Sequence, residues 1–283
     1  MHVVHQHVTI KSSQCRPTGL PAIRACLFDM DGLLIDSEDF YTLCTNIVLA
    51  EYGRPNIPWN IKAQLQGRPG PQAGQIFHEW AQLPISREEF MSKIQVLQKE
   101  HFPKTKPLLA SHEANFKLKT DHQQELFTVF TPEHRVLGDD KRIAPGRGKP
   151  APDIYLLALE TINARLRQEK RKEILPEECL VFEDSVPGVE AGRRAGMQAV
   201  WCPHEGLLKE YAGREETVLA GLMGEHKENE EKNEEIGTVK HDGKGRKKGA
   251  PGEVGDGWGV LLKTLVDFPY ERYGIKVQDS NRL

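Results

Sequence analysis

The chain has 283 residues, of which 38% are hydrophobic and 28% charged, enough to bury one large domain or a core with a smaller attached domain. Its 38 Lys and Arg against 41 Asp and Glu give a formal net charge of -3, which argues against a dedicated nucleic-acid binder. No apolar run approaches the roughly 18–20 residues of a transmembrane helix, and five widely spaced cysteines argue against a disulfide scaffold. We therefore expect a soluble, monomeric, cytoplasmic protein that binds neither nucleic acid nor membrane.

Short apolar runs that end in acidic residues mark the predicted strands. Residues 1–21 are polar and are interpreted as a flexible lead-in. The run Ile23–Phe28 follows and stops at acids, as expected of a buried parallel strand. Cys179–Phe182 shows the same pattern, and Met197–Trp201 forms a third run. Because these runs alternate with helical stretches, the sequence predicts an α/β domain with a Rossmann-like parallel sheet.

Helical periodicity is concentrated between the first two strands. It predicts helices over Glu38–Tyr52, Gln72–Ala81 and Ser86–Glu100, the last with a capping box at its start, and a further helix over Pro152–Lys170. We interpret residues 38–103 as a helical cap domain inserted into an α/β core, which residues 22–37 and 104–220 form.

The composition changes after the predicted core. Residues 221–257 are rich in Glu, Asn, Lys, Gly and Pro, which favours an exposed disordered loop, with a partner-binding tail as the alternative. Apolar residues between Leu261 and Phe268 predict a last helix. We expect residues 258–283 to return to the core through that helix.

The strongest chemical signal directly follows the first strand, in the segment DMDGLLIDSE. Asp29 and Asp31 can point the same way from the carboxyl end of the strand, where open α/β sheets bind ligands. If a divalent cation offsets their repulsion, one carboxylate can attack while the other moves a proton. Gly32 would let the backbone turn tightly and approach a ligand. A calcium-type loop or an ordinary acidic turn is the alternative.

Two later segments complete the pattern. Lys149 stands just before a predicted helix, where its ammonium could hold a phosphate or a carboxylate, or simply lie in an exposed turn. Glu183 and Asp184 end the second strand, and such oxygen ligands suit Mg²⁺. Asp184 or Ser185 can also cap the helix that follows.

In combination, the strings D-x-D-G-x-L-x-D-S-E, G-K-P-x-P-D and F-E-D-S-x-x-G-x-x-A-x-x-x-A-G-M resemble the haloacid dehalogenase superfamily. The resemblance covers roughly residues 22–211 and is strongest to the helical-cap branch that contains pseudouridine-5′-phosphatases and β-phosphoglucomutase-like proteins. It implies a Mg²⁺-dependent enzyme that acts on a small phosphorylated substrate through an aspartyl-phosphate.

The resemblance also implies roles for individual residues. Asp29 would be the nucleophile, and Asp31 the general acid and base. Mg²⁺ would be held by Asp29, the backbone carbonyl of Asp31 and Asp184, with Glu183 nearby or bound through water. Lys149 would neutralise the phosphoryl oxygens.

Further substrate contacts are expected from Gly32, at the nucleophile loop, and from Arg68, whose Gly-Arg-Pro context resembles the family's cap loop. A surface arginine in a turn is the alternative for Arg68.

The second motif of the family departs from its pattern here. Its hydroxyl residue is expected at the end of a strand, and the candidate is Ser111. When the segment is aligned from His112 backward, however, the hydroxyl position falls on Leu109. The helix and most of the strand that the resemblance implies before this point are missing. A lost central strand would expose the edges of its neighbours.

A phosphatase of sugar phosphates or nucleoside monophosphates is our first hypothesis. A phosphosugar mutase uses the same acids and is the second. The third is a catalytically impaired binding or regulatory protein, which the truncated second motif would favour.

Overall fold

The computed structural model describes residues 19–104, 130, 132–224 and 249–276. Nearly all of the predicted site residues fall within these ranges. Ser111, most of the predicted lead-in, and residues 225–248 of the predicted loop lie outside them.

A parallel sheet forms the centre of the described structure. Its four strands follow one another in space as in sequence, in the order β1-β2-β3-β4, and every pair is parallel. The strands are β1 (Ala25–Phe28), β2 (Cys179–Glu183), β3 (Gln198–Trp201) and β4 (Gly259–Leu261). With the helices around it, this sheet confirms the predicted α/β class and Rossmann-like parallel core.

The apolar sequence of strand β2 follows from its burial on both faces of the sheet. Successive side chains point to opposite faces of the sheet, and here both faces are covered. Cys179 and Val181 pack in one hydrophobic cluster with helical residues such as Leu159. Leu180 and Phe182 pack in another cluster on the opposite face, with residues from the end of the chain. If polar and apolar residues alternated along β2, one of these two clusters would lose the apolar side chains that β2 contributes to it.

Eight α-helices accompany the sheet among the described residues. Four lie between β1 and β2: α1 (Glu38–Glu51), α2 (Trp59–Leu65), α3 (Gly70–Ala81) and α4 (Arg87–His101). Four more follow: α5 (Asp153–Gln168), α6 (Val186–Arg194), α7 (Glu205–Glu210) and α8 (Glu215–Ala220). None of the described helices combines the length and the apolar character that crossing a membrane demands.

Helices α1 to α4, here called the helical insertion, have a hydrophobic cluster of their own. Its buried members come from α1, α3 and α4 and include Val48, Phe77 and Ile94. The predicted cap at the start of α4 is present, since Oγ of Ser86 accepts a hydrogen bond of 3.1 Å from the backbone N–H of Glu89.

Helix α2 joins the insertion to the core. The indole of Trp59 stacks on the ring of His204 with centroids 4.7 Å apart. It also lies so close to α7 that a Cβ at Gly206 would come within 1.9 Å of the indole. Helices α2, α7 and α8 were not predicted, because six or seven residues are too few to show a helical period.

The predicted last helix is wrong within the described residues. Gly259–Leu261 instead forms strand β4, which pairs with β3 in parallel, and a 3-10 turn follows at Tyr270–Tyr273. The free edge of β3 offers hydrogen bonds to a short apolar run, which outweighs the weak helical period of these residues. Gly259 suits this position because a Cβ there would lie 2.4 Å from the carbonyl oxygen of Leu219. The expected return to the core is seen for Phe268 and Tyr273, which are buried in a core cluster.

The structure also differs from the predicted loop at residues 249–257. The backbone N–H of Gly252 donates to the carbonyl of Ala220 over 2.8 Å. Asp256 forms an ion pair with the fully buried Arg193. These contacts fix residues 249–257 to helices α6 and α8. The predicted disordered loop therefore does not include this segment.

Candidate active site

Two neighbouring strands bring the predicted acids together at one edge of the sheet. In the parallel register of β1 and β2, Phe28 pairs with Phe182, and the backbone N–H of Asp29 donates to the carbonyl of Phe182 over 2.8 Å. The next residues therefore leave the sheet side by side. Asp29, Glu183 and Asp184 each place a carboxylate oxygen within 4.8 Å of the others.

Lys149 lies between two of these acids. Its ammonium forms ion pairs with Asp29 and, at 2.6 Å, with Glu183, and its side chain is only 12% exposed. Burial disfavours the charge, but the two carboxylates outweigh it and raise the pKa of Lys149 above its ordinary value. The lysine is therefore a permanent positive charge beside Asp29.

Glu183 is fully buried and accepts several hydrogen bonds. Besides Lys149, its donors are the hydroxyl of Tyr155, the backbone N–H of Ser185 at 3.2 Å and the Ser185 hydroxyl at 3.0 Å. The side chain lies against the start of α6, where a Cβ at Gly188 would be 1.9 Å from its oxygen. Glu183 is thus held rigidly and in turn fixes the ammonium of Lys149.

The acid cluster carries more negative charge than its lysine offsets. Burial, followed by the charge of Glu183, raises the pKa of Asp29 to about 7 even though Lys149 opposes the shift. Burial and the charge of Asp29 also raise the pKa of Asp184 well above its usual range. A hard divalent cation would relieve this repulsion, and the carboxylate oxygens present are ligands that Mg²⁺ prefers. The donor set therefore fits a magnesium ion.

The loop after β1 orients Asp31. Its carboxylate accepts a hydrogen bond of 2.6 Å from the hydroxyl of Ser37, and Asp31 also forms an isolated bridge with Ile35. Gly32 has a φ of 79°, and a Cβ there would lie 2.1 Å from Oδ2 of Asp184. Asp31 lies outside the three-carboxylate group, and its carboxylate is instead hydrogen-bonded to Ser37.

A cavity of about 1080 Å³ opens over these groups. It is lined by residues of the core and of the helical insertion together. Among them are Asp29, Asp31, Lys149, Asp184, Lys62, Gln66 and Arg68. The cavity is large enough for a small phosphorylated molecule.

The turn that follows α2 lies directly on the acidic edge of the sheet. Nε2 of Gln66 donates to Oδ2 of Asp184 over 2.5 Å, and a Cβ at Gly67 would be 2.3 Å from Oγ of Ser185. Arg68 lines the cavity, and its Nε donates to the carbonyl of Gln64 over 2.7 Å. The insertion therefore reaches the acids through this turn.

Three polar residues of the site were not singled out from the sequence. Ser37 lies in the first motif, and Tyr155 is the third residue of the helix that follows Lys149, so both were within reach of a motif-based analysis. Gln66 had no such signal, because its partner Asp184 is 118 positions away.

Comparison with known proteins places the chain in a family. Residues 26–202, more than half of the chain, match the family model described as haloacid dehalogenase-like hydrolase. The chain belongs to the haloacid dehalogenase-like hydrolases, as its motifs predicted.

Several relatives are similar over most of their length. A probable pseudouridine-5′-phosphatase from Saccharomyces cerevisiae is 40% identical over 220 residues, which are 71% of this chain and 90% of the relative. A (DL)-glycerol-3-phosphatase from Arabidopsis thaliana is 32% identical over 228 residues, 72% of each chain. A solved haloacid dehalogenase hydrolase from Entamoeba histolytica has a TM-score of 0.49 at 20% identity and covers 66% of this chain and 87% of its own.

Proposed function

We propose that this protein is a Mg²⁺-dependent phosphatase that hydrolyses the phosphate ester of a small phosphorylated metabolite through an aspartyl-phosphate. The observation that carries the proposal is the bridge of Lys149 between Asp29 and Glu183, beside Asp184 and at the base of a cavity of about 1080 Å³. The names of the relatives, which include phosphatases of glycerol 3-phosphate and pseudouridine 5′-phosphate, support the same reaction.

In the first step, an oxygen of Asp29 attacks phosphorus and the bond between phosphorus and the ester oxygen breaks. Lys149 contacts Asp29 and can also reach the phosphoryl oxygens, so it aligns the nucleophile and neutralises charge in the transition state. Asp31 gives its proton to the leaving oxygen. The hydroxyl of Ser37 holds the Asp31 carboxyl in one orientation for this transfer.

In the second step, the same acid acts in reverse. Asp31 takes a proton from a water molecule, the water oxygen attacks phosphorus, and the bond to Asp29 breaks. Inorganic phosphate leaves, and Asp31 again carries the proton that it needs for the next cycle.

Asp29, Asp184 and the backbone carbonyl of Asp31 would hold the magnesium ion. When bound, the ion neutralises negative charge on the phosphoryl oxygens. Glu183 contributes differently, because its oxygens already accept hydrogen bonds from Tyr155 and Ser185. Its role in the proposal is to position Lys149.

The helical insertion acts as the cap in this proposal. Its turn at residues 66–69 lies against Ser185 and, through Pro69, against Gly148, where it excludes water from the acids. Arg68, which lines the cavity, and Gly32, in the loop after β1, are the proposed substrate contacts. The proposal also includes a monomeric cytoplasmic enzyme.

The test is phosphate release by the purified protein from a panel of sugar phosphates, nucleoside monophosphates, glycerol 3-phosphate and pseudouridine 5′-phosphate. We expect turnover that disappears with excess EDTA and returns with Mg²⁺. Asp29→Asn should lower kcat by about a thousandfold or more, because it removes the nucleophile.

The matched control is Asp267→Asn, which makes the same change at an exposed aspartate. It should leave kcat within twofold of the wild type, by our order-of-magnitude expectation for a surface site. Turnover that survives in Asp29→Asn, or that needs no divalent cation, would contradict the proposal. A folded wild-type protein that releases no phosphate from any ester would contradict it as well.

A further inference from the structure

Gln66 is an unusual residue in the wall of the cavity. It caps the C-terminal end of helix α2, where its backbone N–H donates to the carbonyl of Lys62 over 3.1 Å, and only 7% of the residue is exposed. Its carboxamide therefore belongs to the interior of the site and not to the surface of the insertion.

The two ends of this carboxamide differ in their partners. Nε2 donates to Oδ2 of Asp184 over 2.5 Å, which fixes the nitrogen toward the acids because a carboxylate accepts hydrogen bonds. Oε1 is also buried, yet no donor among the described residues reaches it. Buried polar atoms in folded proteins are nearly always paired, so an unpaired acceptor in a cavity wall calls for a ligand that donates.

The neighbouring polar groups do not compete for this role. The ammonium of Lys62, also buried, is held by Glu38 at 3.3 Å and lies 4.3 Å from the centre of the Trp59 ring. Its charge is engaged within the insertion. Glu38, also in the insertion and near Asp184, is an acceptor that this ammonium already engages, whereas Oε1 of Gln66 has no donor among the described residues.

We propose that Gln66 is a specificity residue whose Oε1 accepts a hydrogen bond from a hydroxyl group of the substrate, so that the enzyme selects phosphate esters of hydroxylated molecules over plain alkyl phosphates. The inference rests on the proposed phosphatase function. Gln66 lines the cavity, so its carboxamide belongs to the wall against which a substrate would bind.

The test compares two esters, the most rapidly hydrolysed hydroxylated substrate of the panel and n-propyl phosphate. The wild type should prefer the first by about tenfold or more in kcat/KM, since a missing hydroxyl leaves Oε1 unpaired. Gln66→Met removes both polar atoms at nearly constant volume. The lost bond to Asp184 affects both esters equally, so kcat/KM for the hydroxylated ester should fall by about tenfold more than that for propyl phosphate.

Gln64→Met is the matched control, because Gln64 lies on the exposed side of the same helix. It should change neither value. Gln66→Asn serves if Gln66→Met loses its cooperative thermal transition; it keeps the amide but withdraws it by one methylene, and should show the same loss of preference.

The outcomes separate this inference from the proposed function. An equal loss of kcat/KM on both esters would mean that Gln66 only positions the insertion on Asp184. That result would overturn the inference but not the proposed phosphatase function. An unchanged preference would overturn it as well. No hydrolysis of either ester by the wild type would overturn the proposed function and this inference together.

Discussion

The hydroxyl of Tyr155 donates a hydrogen bond to Glu183, the buried acid that also holds the ammonium of Lys149. Tyr155 itself is 4% exposed, and burial raises the pKa of its hydroxyl well above the ordinary value, so it remains a donor at any working pH. The tyrosine thus supports the lysine indirectly, through Glu183.

Replacing Tyr155 with phenylalanine tests this support. We expect Tyr155→Phe to lower kcat by about threefold to tenfold and the free energy of unfolding by about 2 kcal/mol, because one buried hydrogen bond to a charged group is lost. Steady-state kinetics and urea unfolding measure the two effects. Tyr270→Phe, at a tyrosine that is 45% exposed, should change neither. Equal behaviour of the two variants would show that the bond to Glu183 is unimportant.

Gly32 should tolerate no side chain. In Gly32→Ala the new Cβ would meet Oδ2 of Asp184 at 2.1 Å, in addition to the strain of a φ of 79°. Gly53→Ala separates the two effects, because Gly53 also has a positive φ, 64°, but nothing within 4 Å of the Cβ position. We expect Gly53→Ala to cost about 1 kcal/mol in unfolding free energy with full activity.

Gly32→Ala should cost more than that and lower kcat by about a hundredfold, since it displaces a proposed metal ligand. Thermal unfolding and phosphate release measure both variants. A fully active Gly32→Ala would show that the contact with Asp184 can relax without consequence.

Binding of Mg²⁺ should stabilise the protein more at high pH than at low pH. In the metal-free protein, burial and Glu183 raise the pKa of Asp29 to about 7, so much of the carboxyl is protonated at pH 6 and ionised at pH 8. A cation binds the ionised form and must displace the proton. The increase in Tm on adding Mg²⁺ should therefore be larger at pH 8 than at pH 6.

Asp184→Asn should lose most of that increase at both pH values, because it replaces a proposed ligand with a neutral amide. Asp267→Asn should retain it. An increase in Tm that is the same at pH 6 and pH 8 would mean that binding releases no proton from this cluster.

The ion pair between Arg193 and Asp256 should contribute strongly to stability. The side chain of Arg193 is 0% exposed and that of Asp256 is 12% exposed. Asp256→Asn leaves a buried cation without its counter-charge, and we expect a loss of about 3 kcal/mol in urea unfolding. Asp140→Asn breaks the comparable pair with Arg142, whose side chain is 54% exposed, and should cost less than about 1 kcal/mol. Similar losses in both variants would contradict this ranking.

Much of the core and of the acid cluster could be predicted, because local sequence determines both. The apolar runs before Asp29 and Glu183 fix two strands, and parallel pairing then brings these acids to one edge of the sheet. The contacts between the insertion and the core could not be predicted in this way, because they join residues far apart in the sequence. Gln66 meets Asp184 across 118 residues, and such a contact depends on how α2 packs on the core.

The end of the chain shows the same limit. The run Gly259–Leu261 is too short for its periodicity to distinguish a strand from a helix. It forms a strand because it pairs with the edge of β3. The predicted roles of Asp29, Asp31, Lys149, Glu183 and Asp184 rest on the family resemblance, and their assignment stays a prediction until kinetics test it.

The hydrogen bond between Gly252 and Ala220 has a consequence for engineering. It ties the two sides of the segment 221–251 together at the surface of α8, and the ion pair of Asp256 secures the returning chain independently. Because the ends are already joined, doubling the length of the connection costs only about 0.6 kcal/mol in closure entropy. We therefore expect an insertion in this connection to cost little stability.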